Sequence, residues 1–243
     1  MLSLGDLASV RRRLLALAEA DPAVVGAALT GSQATGDADR WSDLDLAFAI
    51  DGPLDAAMHH WTELLYRDFA AVHHWDRPSG ATVYRVFLLP GRLEVDIAFS
   101  PPEGFAPRGP SWHTVFGDPA PPEPTAPVGH DHLAGLAWHH ALHAWTSIQR
   151  RRWWQAEHWI GALRGQVIAL ACLRLGHPTA YAKGAHLLPA EVAAGLEATL
   201  VRTLDEAELR RALAAATAAL SAELTRTDPA LAARLAPVLA EPV

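Results

Sequence analysis

Apolar positions recur at helical spacing over residues 3–20, where Leu4, Leu7, Val10, Leu14 and Leu17 make one stripe and Ser3 stands ready as a cap. Pro22 ends the approach to a first strand, Val24–Thr30, and a Gly/Ser/Asp-rich loop leads to a second, Leu44–Ile50. A helix is predicted over 54–72. Residues 81–89 and 93–99 read as strands on either side of the Pro90-Gly91 turn. Nine of the eighteen prolines fall within 101–129, where apolar periodicity is lost, and this predicts an extended linker. Beyond Gly129 the helical period returns, over 130–150, 153–175, 189–200, 205–226 and 229–239. The pattern predicts an α+β chain: a small mixed sheet with helices in 1–100, a Pro-rich linker over 101–129, and an all-α helical bundle in 130–243.

Charge sharpens this division. Residues 1–129 carry nine Lys/Arg against seventeen Asp/Glu, whereas 130–243 carry eleven against ten, within a net charge of -7. An acidic first half is a poor surface for nucleic acid, which needs a basic patch. It suits a site whose acid is offset by a cation. The single cysteine, Cys172, excludes an internal disulfide, and no apolar run is long enough for a membrane helix. At the N-terminus, Asp6 precedes the apolar run and Arg11–Arg13 follow it, the reverse of a signal peptide, so a cytoplasmic location is expected.

The candidate chemistry lies between Leu29 and Leu46. Gly31 and Ser32 end a strand, where backbone N–H groups and a hydroxyl can face a phosphate, and a glycine lets that phosphate approach. Asp43 and Asp45 are separated by one residue at the head of the next strand, so alternation places both carboxylates on one face and Leu44 and Leu46 on the other. Two carboxylates that close are costly without a cation, and hard oxygen ligands suit magnesium. Asp96 interrupts an otherwise apolar strand and is expensive to bury without a partner. It is the third candidate for a site in which two ions assist phosphoryl or nucleotidyl transfer.

Gly31-Ser32, Gly36, Ser42-Asp43-Leu44-Asp45 and the lone Asp96 together resemble the nucleotidyltransferase superfamily of the polymerase-beta type. The resemblance covers about the first hundred residues. It implies the nucleotidyltransferase fold, a nucleoside triphosphate donor, usually ATP, with Ser32 on its phosphates, and two magnesium ions. Asp43 and Asp45 would ligate both ions, and Asp96 the ion that activates the acceptor hydroxyl. A catalytic domain followed by a helical bundle looks like the antibiotic nucleotidyltransferases that modify aminoglycosides or lincosamides. On that likeness Arg164, and Lys183 in the Tyr181–Gly184 loop, resemble the basic residues offered to the triphosphate. The implied reaction moves a nucleoside monophosphate to a small hydroxylated acceptor and releases pyrophosphate. The rival expectation is a protein-modifying (AMPylating) or antitoxin-like regulatory protein, against which the long helical half counts.

Several other residues have plainer uses. Asp37 and Asp39 repeat the Asp-x-Asp spacing, but in a loop, where carboxylates are not held rigidly enough for an ion. Ser42 serves either as a ligand or as a turn brace. His139 and His143 have ligand-compatible i, i+4 spacing within the run of histidines from 130 to 143, but read as surface histidines. The five tryptophans between 138 and 159 read mainly as packing. Arg150–Arg152 suit the end of a helix.

Overall fold

The structure is a computed structural model that describes residues 4–36, 38, 39, 41–122 and 128–239. Contacts divide the chain into two compact units, Met1–Ala126 and Pro127–Val243. Ser3, the expected cap, and Asp37 lie outside the described residues.

In the first unit the order is α1 (Leu4–Ala20), β1 (Val24–Thr30), α2 (Gly31–Thr35), β2 (Leu44–Ile50), α3 (Leu54–Phe69), β3 (His73–Ser79), β4 (Thr82–Leu89), β5 (Leu93–Ser100) and β6 (Trp112–Phe116). The strands form one mixed sheet in the order β3-β4-β5-β2-β1-β6, with β2 and β5 parallel and every other pair antiparallel. Alternation decides which face is covered. Leu44, Leu46, Phe48 and Ile50 of β2 and Val95, Ile97 and Phe99 of β5 pack with Leu14 and Ala18 of α1 and Trp61 and Leu65 of α3 into one core. Phe48 sits 4.8 Å from Trp61 and 5.9 Å from Phe99, ring centre to ring centre. Trp61 is fully buried and donates its indole N–H to Asp21, so its polar atom is satisfied as well as its area.

Two expectations are corrected here. Residues 101–129 do not form a linker throughout: 112–116 become β6 and pair with β1, and Phe105 is buried against Ala28, Ala47 and Ala49. The prolines punctuate a segment folded back over the sheet rather than holding it extended. The other correction is β3, absent from the prediction, which pairs with β4 along its whole length. Its Pro78 is tolerated because β3 is an edge strand, with no second ladder to supply.

The second unit is helical: α4 (His130–Gln149), α5 (Trp153–Leu175), α6 (Ala190–Glu197), α7 (Glu206–Thr227) and α8 (Pro229–Leu239). Ala137, Ala141 and Ala144 of α4, Ile160, Leu163 and Val167 of α5, and Leu213, Ala216 and Leu220 of α7 fill its core at helical spacing. Asp205 caps α7 by accepting from the Glu208 N–H at 2.9 Å. Buried Glu223 is neutralised by Arg174 and Arg226. No helix among the described residues is long and apolar enough to cross a membrane.

Candidate functional site

The alternation that buries Leu44 and Leu46 sends Asp45 to the opposite face of β2, and β5 does the same with Asp96. Because β2 and β5 are parallel with Asp45 opposite Asp96, the two acidic residues are cross-strand neighbours on the face turned away from α1 and α3. Burial, followed by the charge of Asp45, pushes the Asp96 carboxyl up to about 7, with smaller additions from Glu94 and Asp43 and a partial offset from Arg77. Asp96 Oδ1 is buried and has no hydrogen-bond partner among the described residues.

The turn after β1 meets this pair. Gly31 has φ +58°, and a Cβ there would stand 2.1 Å from Asp45 Oδ2, so only glycine lets the backbone lie against that carboxylate. Ser32 is the second residue of the short α2, and its Oγ is likewise buried without a partner among the described residues. Two unpartnered polar atoms and a crowded carboxylate at one place are costly for an ordinary core.

Asp43 stands just ahead of β2 with an exposed side chain, and its charge acts on Asp96 less than that of Asp45 or Glu94. Its carbonyl accepts from Gln33 Nε2 at 3.5 Å. Among the described residues no three His, Cys, Asp or Glu side chains are gathered closely enough to hold one ion. What the structure assembles is therefore the pair Asp45–Asp96 with Asp43 at its rim, looser than the compact triad the spacing predicts. Ser42 braces the turn: its Oγ accepts from the Asp39 N–H at 2.9 Å and donates to Asp39 Oδ1 at 3.2 Å. Asp39 also accepts from the Trp41 N–H, so this aspartate holds the loop.

Arg164 and Lys183 belong to the second unit. Arg164 donates from Nε to Thr199 Oγ1 at 2.8 Å, tying α5 to the turn that follows α6, and Lys183 is exposed. His139 and His143 sit 4.3 Å apart, ring centre to ring centre, and His143 stacks on Trp159. Of the five tryptophans, Trp153 and Trp159 pack against the helical core, while Trp138, Trp145 and Trp154 are exposed, so packing accounts for only part of the group.

Sequence reasoning missed one group entirely. Arg77, Tyr84 and Arg108 lie together beside Asp96, with Arg77 Cζ 4.5 Å above the Tyr84 ring. Alternation from Val86 could have placed Tyr84 on this face. Nothing local could have brought Arg77 and Arg108 to it.

Residues 10–78 match the family model of the nucleotidyltransferase domain. The chain resembles the nucleotidyltransferase superfamily. The matched stretch contains the Gly31-Ser32 turn, Asp43 and Asp45, and ends in β3 before Asp96. The fold that goes with this nucleotidyltransferase resemblance is the one observed, a mixed sheet with helices followed by a helical region. A crystal structure of an aminoglycoside 6-adenyltransferase from Bacillus subtilis is 11% identical over 90% of this chain and 89% of its own, at a TM-score of 0.37, too distant to bear on the chemistry. A comparison with curated proteins returned no match.

Proposed function

We propose that this chain is a magnesium-dependent nucleotidyltransferase that moves a nucleoside monophosphate, AMP from ATP, to a hydroxyl of a small molecule and releases pyrophosphate. The observation that carries the reading is the Asp45–Asp96 pair lying against the Gly31-Ser32 turn. The pair fits a divalent ion. Magnesium takes one or two protein carboxylates and completes its shell with water and substrate phosphates, and Asp96 Oδ1 lacks any other partner among the described residues. Asp45 and Asp96 would hold the ion, with Asp43 available at the rim for a second. Bound there, magnesium neutralises charge on the transferred phosphate and on the departing pyrophosphate.

The remaining work falls to the chain itself. Ser32 and the backbone of its turn orient the donor phosphates. Asp96 would accept the proton of the attacking hydroxyl as the new O–P bond forms and the bond to pyrophosphate breaks. Positioning supplies much of the rate in such transfers. Antibiotics are the first acceptors to screen, because a catalytic domain followed by a helical bundle is the layout of antibiotic nucleotidyltransferases.

The test is pyrophosphate release from ATP and magnesium over a panel of hydroxylated antibiotics of differing charge, with an Asp43→Asn, Asp45→Asn double variant beside it. Acceptor-dependent release that disappears in the double variant supports the reading; release that survives places the chemistry elsewhere. A second expected outcome concerns the turn. Gly31→Ala drives a Cβ into Asp45 Oδ2 at a left-handed φ, so it displaces the carboxylate. It should lower kcat/KM by about a hundredfold, the usual scale for a displacement of about 1 Å in an active site. The unfolding free energy, measured by denaturant titration, should fall by only about 1–2 kcal/mol. A fully active Gly31→Ala variant would separate the turn from the site.

A further inference from the structure

On the face that carries Asp45 and Asp96, the strands beyond β5 carry the opposite charge. Register across the sheet sets Trp75, Val86, Asp96 and Asp45 in one row and Arg77, Tyr84, Ala98 and Ala47 in the next. The Arg77 guanidinium lies 4.5 Å over the centre of the Tyr84 ring. Arg108 lies 5.7 Å from the same ring and donates to Tyr84 Oη at 3.0 Å and to Thr82 Oγ1 at 2.7 Å. Among the described residues neither guanidinium forms an ion pair. Arg85, on the opposite face of β4, behaves quite differently: Asp76 holds it through two bonds of 2.7 Å. Glu94 shares this face, but it lies on the far side of Asp96 from the Tyr84 row, opposite Leu88.

The strand order gives this group a direction. Gly31 and Ser32 follow β1, which lies beyond β2, while Tyr84 and Arg77 lie on β4 and β3, on the other side of β5. Asp96 therefore separates the phosphate-facing turn from the Arg–Tyr platform. If the turn holds the donor, the open flank beyond Asp96 is left for the acceptor.

We propose that Arg77, Tyr84 and Arg108 bind the acceptor, and that the acceptor is a hydroxylated molecule carrying a carboxylate or phosphate group. The assignment of this flank to the acceptor rests on nucleotidyl transfer as the activity. Stacking on one aromatic ring holds two guanidinium groups in place while leaving N–H donors for a bidentate anion. A polycation such as an aminoglycoside would be repelled by the same two charges. Trp75, 53% exposed in the row of Asp96, offers a flat surface to the carbon skeleton.

The probes are 4-hydroxybenzoate, 4-hydroxyphenylphosphonate, the neutral 4-hydroxybenzamide and the cationic 4-hydroxybenzylamine, titrated into the full chain by ligand-observed NMR at low salt. The two anions should bind about tenfold or more tightly than the amide, as expected for charge-assisted bonds, and the tighter of the two names the group. Arg77 is exposed, so its substitution spares the core. Arg77→Gln should erase the preference, and Arg77→Glu should turn it towards the amine. Equal binding of anion and amide, or a preference that survives Arg77→Glu, overturns the proposal. Magnesium–ATP binding is titrated separately. Its absence would count against nucleotidyl transfer, while the anion–amide comparison would still decide the platform.

Discussion

Asp45→Asn and Asp96→Asn should each lower magnesium-dependent pyrophosphate release by about 10³-fold or more, corresponding to about 4 kcal/mol of lost transition-state stabilisation. The size follows from what each carboxylate does. Asp45 and Asp96 are the cross-strand pair, so removing either charge halves the negative set that would hold the ion. Removing Asp96 also takes away the group proposed to accept the hydroxyl proton. Neither variant should unfold, because asparagine preserves shape and relieves repulsion within the pair. The measurement is initial rate against magnesium concentration, with thermal melting as a check on folding. Either variant keeping more than about a tenth of the wild-type rate would remove that residue from the chemistry. Asp43→Asn belongs in the same series: a loss equal to that of Asp45→Asn would make the exposed rim residue a ligand.

What the sequence could disclose was set by burial. The interior strands β1 and β2 are bounded as their alternation predicts, because one face of each meets the core and one-residue slips would expose Leu46 or Phe48. Both edges of the sheet were hidden. Every residue of β3 but one is exposed, so its His-His-Trp-Asp-Arg-Pro-Ser run has no apolar face to read. The five residues of β6 alternate only between half-buried and exposed, inside a proline-rich stretch that reads as loop. Edge strands exist because a neighbour offers a free ladder, and that is information their own residues do not carry.

The site divides along the same line. Asp43 and Asp45 are legible from local spacing, and Asp96 from the cost of an aspartate in an apolar strand. The bracing of Ser42 by Asp39 and the bond from Arg164 to Thr199 depend on contacts that spacing does not specify. The Arg77–Tyr84–Arg108 group depends on the register of three strands and a returning loop. It became visible only once the fold had brought those pieces onto one face.

Removing the charge of Asp96 should also make the metal-free protein more stable at alkaline pH. Its carboxyl is raised from the ordinary 3.8 to about 7 in the folded chain, so between those values the native state binds the proton more tightly than the unfolded chain does. Stability therefore falls as pH rises through that window. The penalty is absent below the unfolded value and complete above the folded one. Three pKa units correspond to about 4 kcal/mol at most, and solvent at this half-buried carboxyl reduces that to about 1–2 kcal/mol. In magnesium-free buffer Asp96→Asn should melt several degrees above the wild type at about pH 8.5 and close to it at about pH 4. Magnesium should narrow the gap by stabilising the wild type alone, because binding to the folded state adds stability only where the ligand set is intact. The melts at the two pH values, with and without the ion, separate the two causes. An Asp96→Asn gain that is the same at both pH values would assign the effect to packing rather than charge. A gain at alkaline pH that magnesium leaves untouched would place the ion away from Asp96.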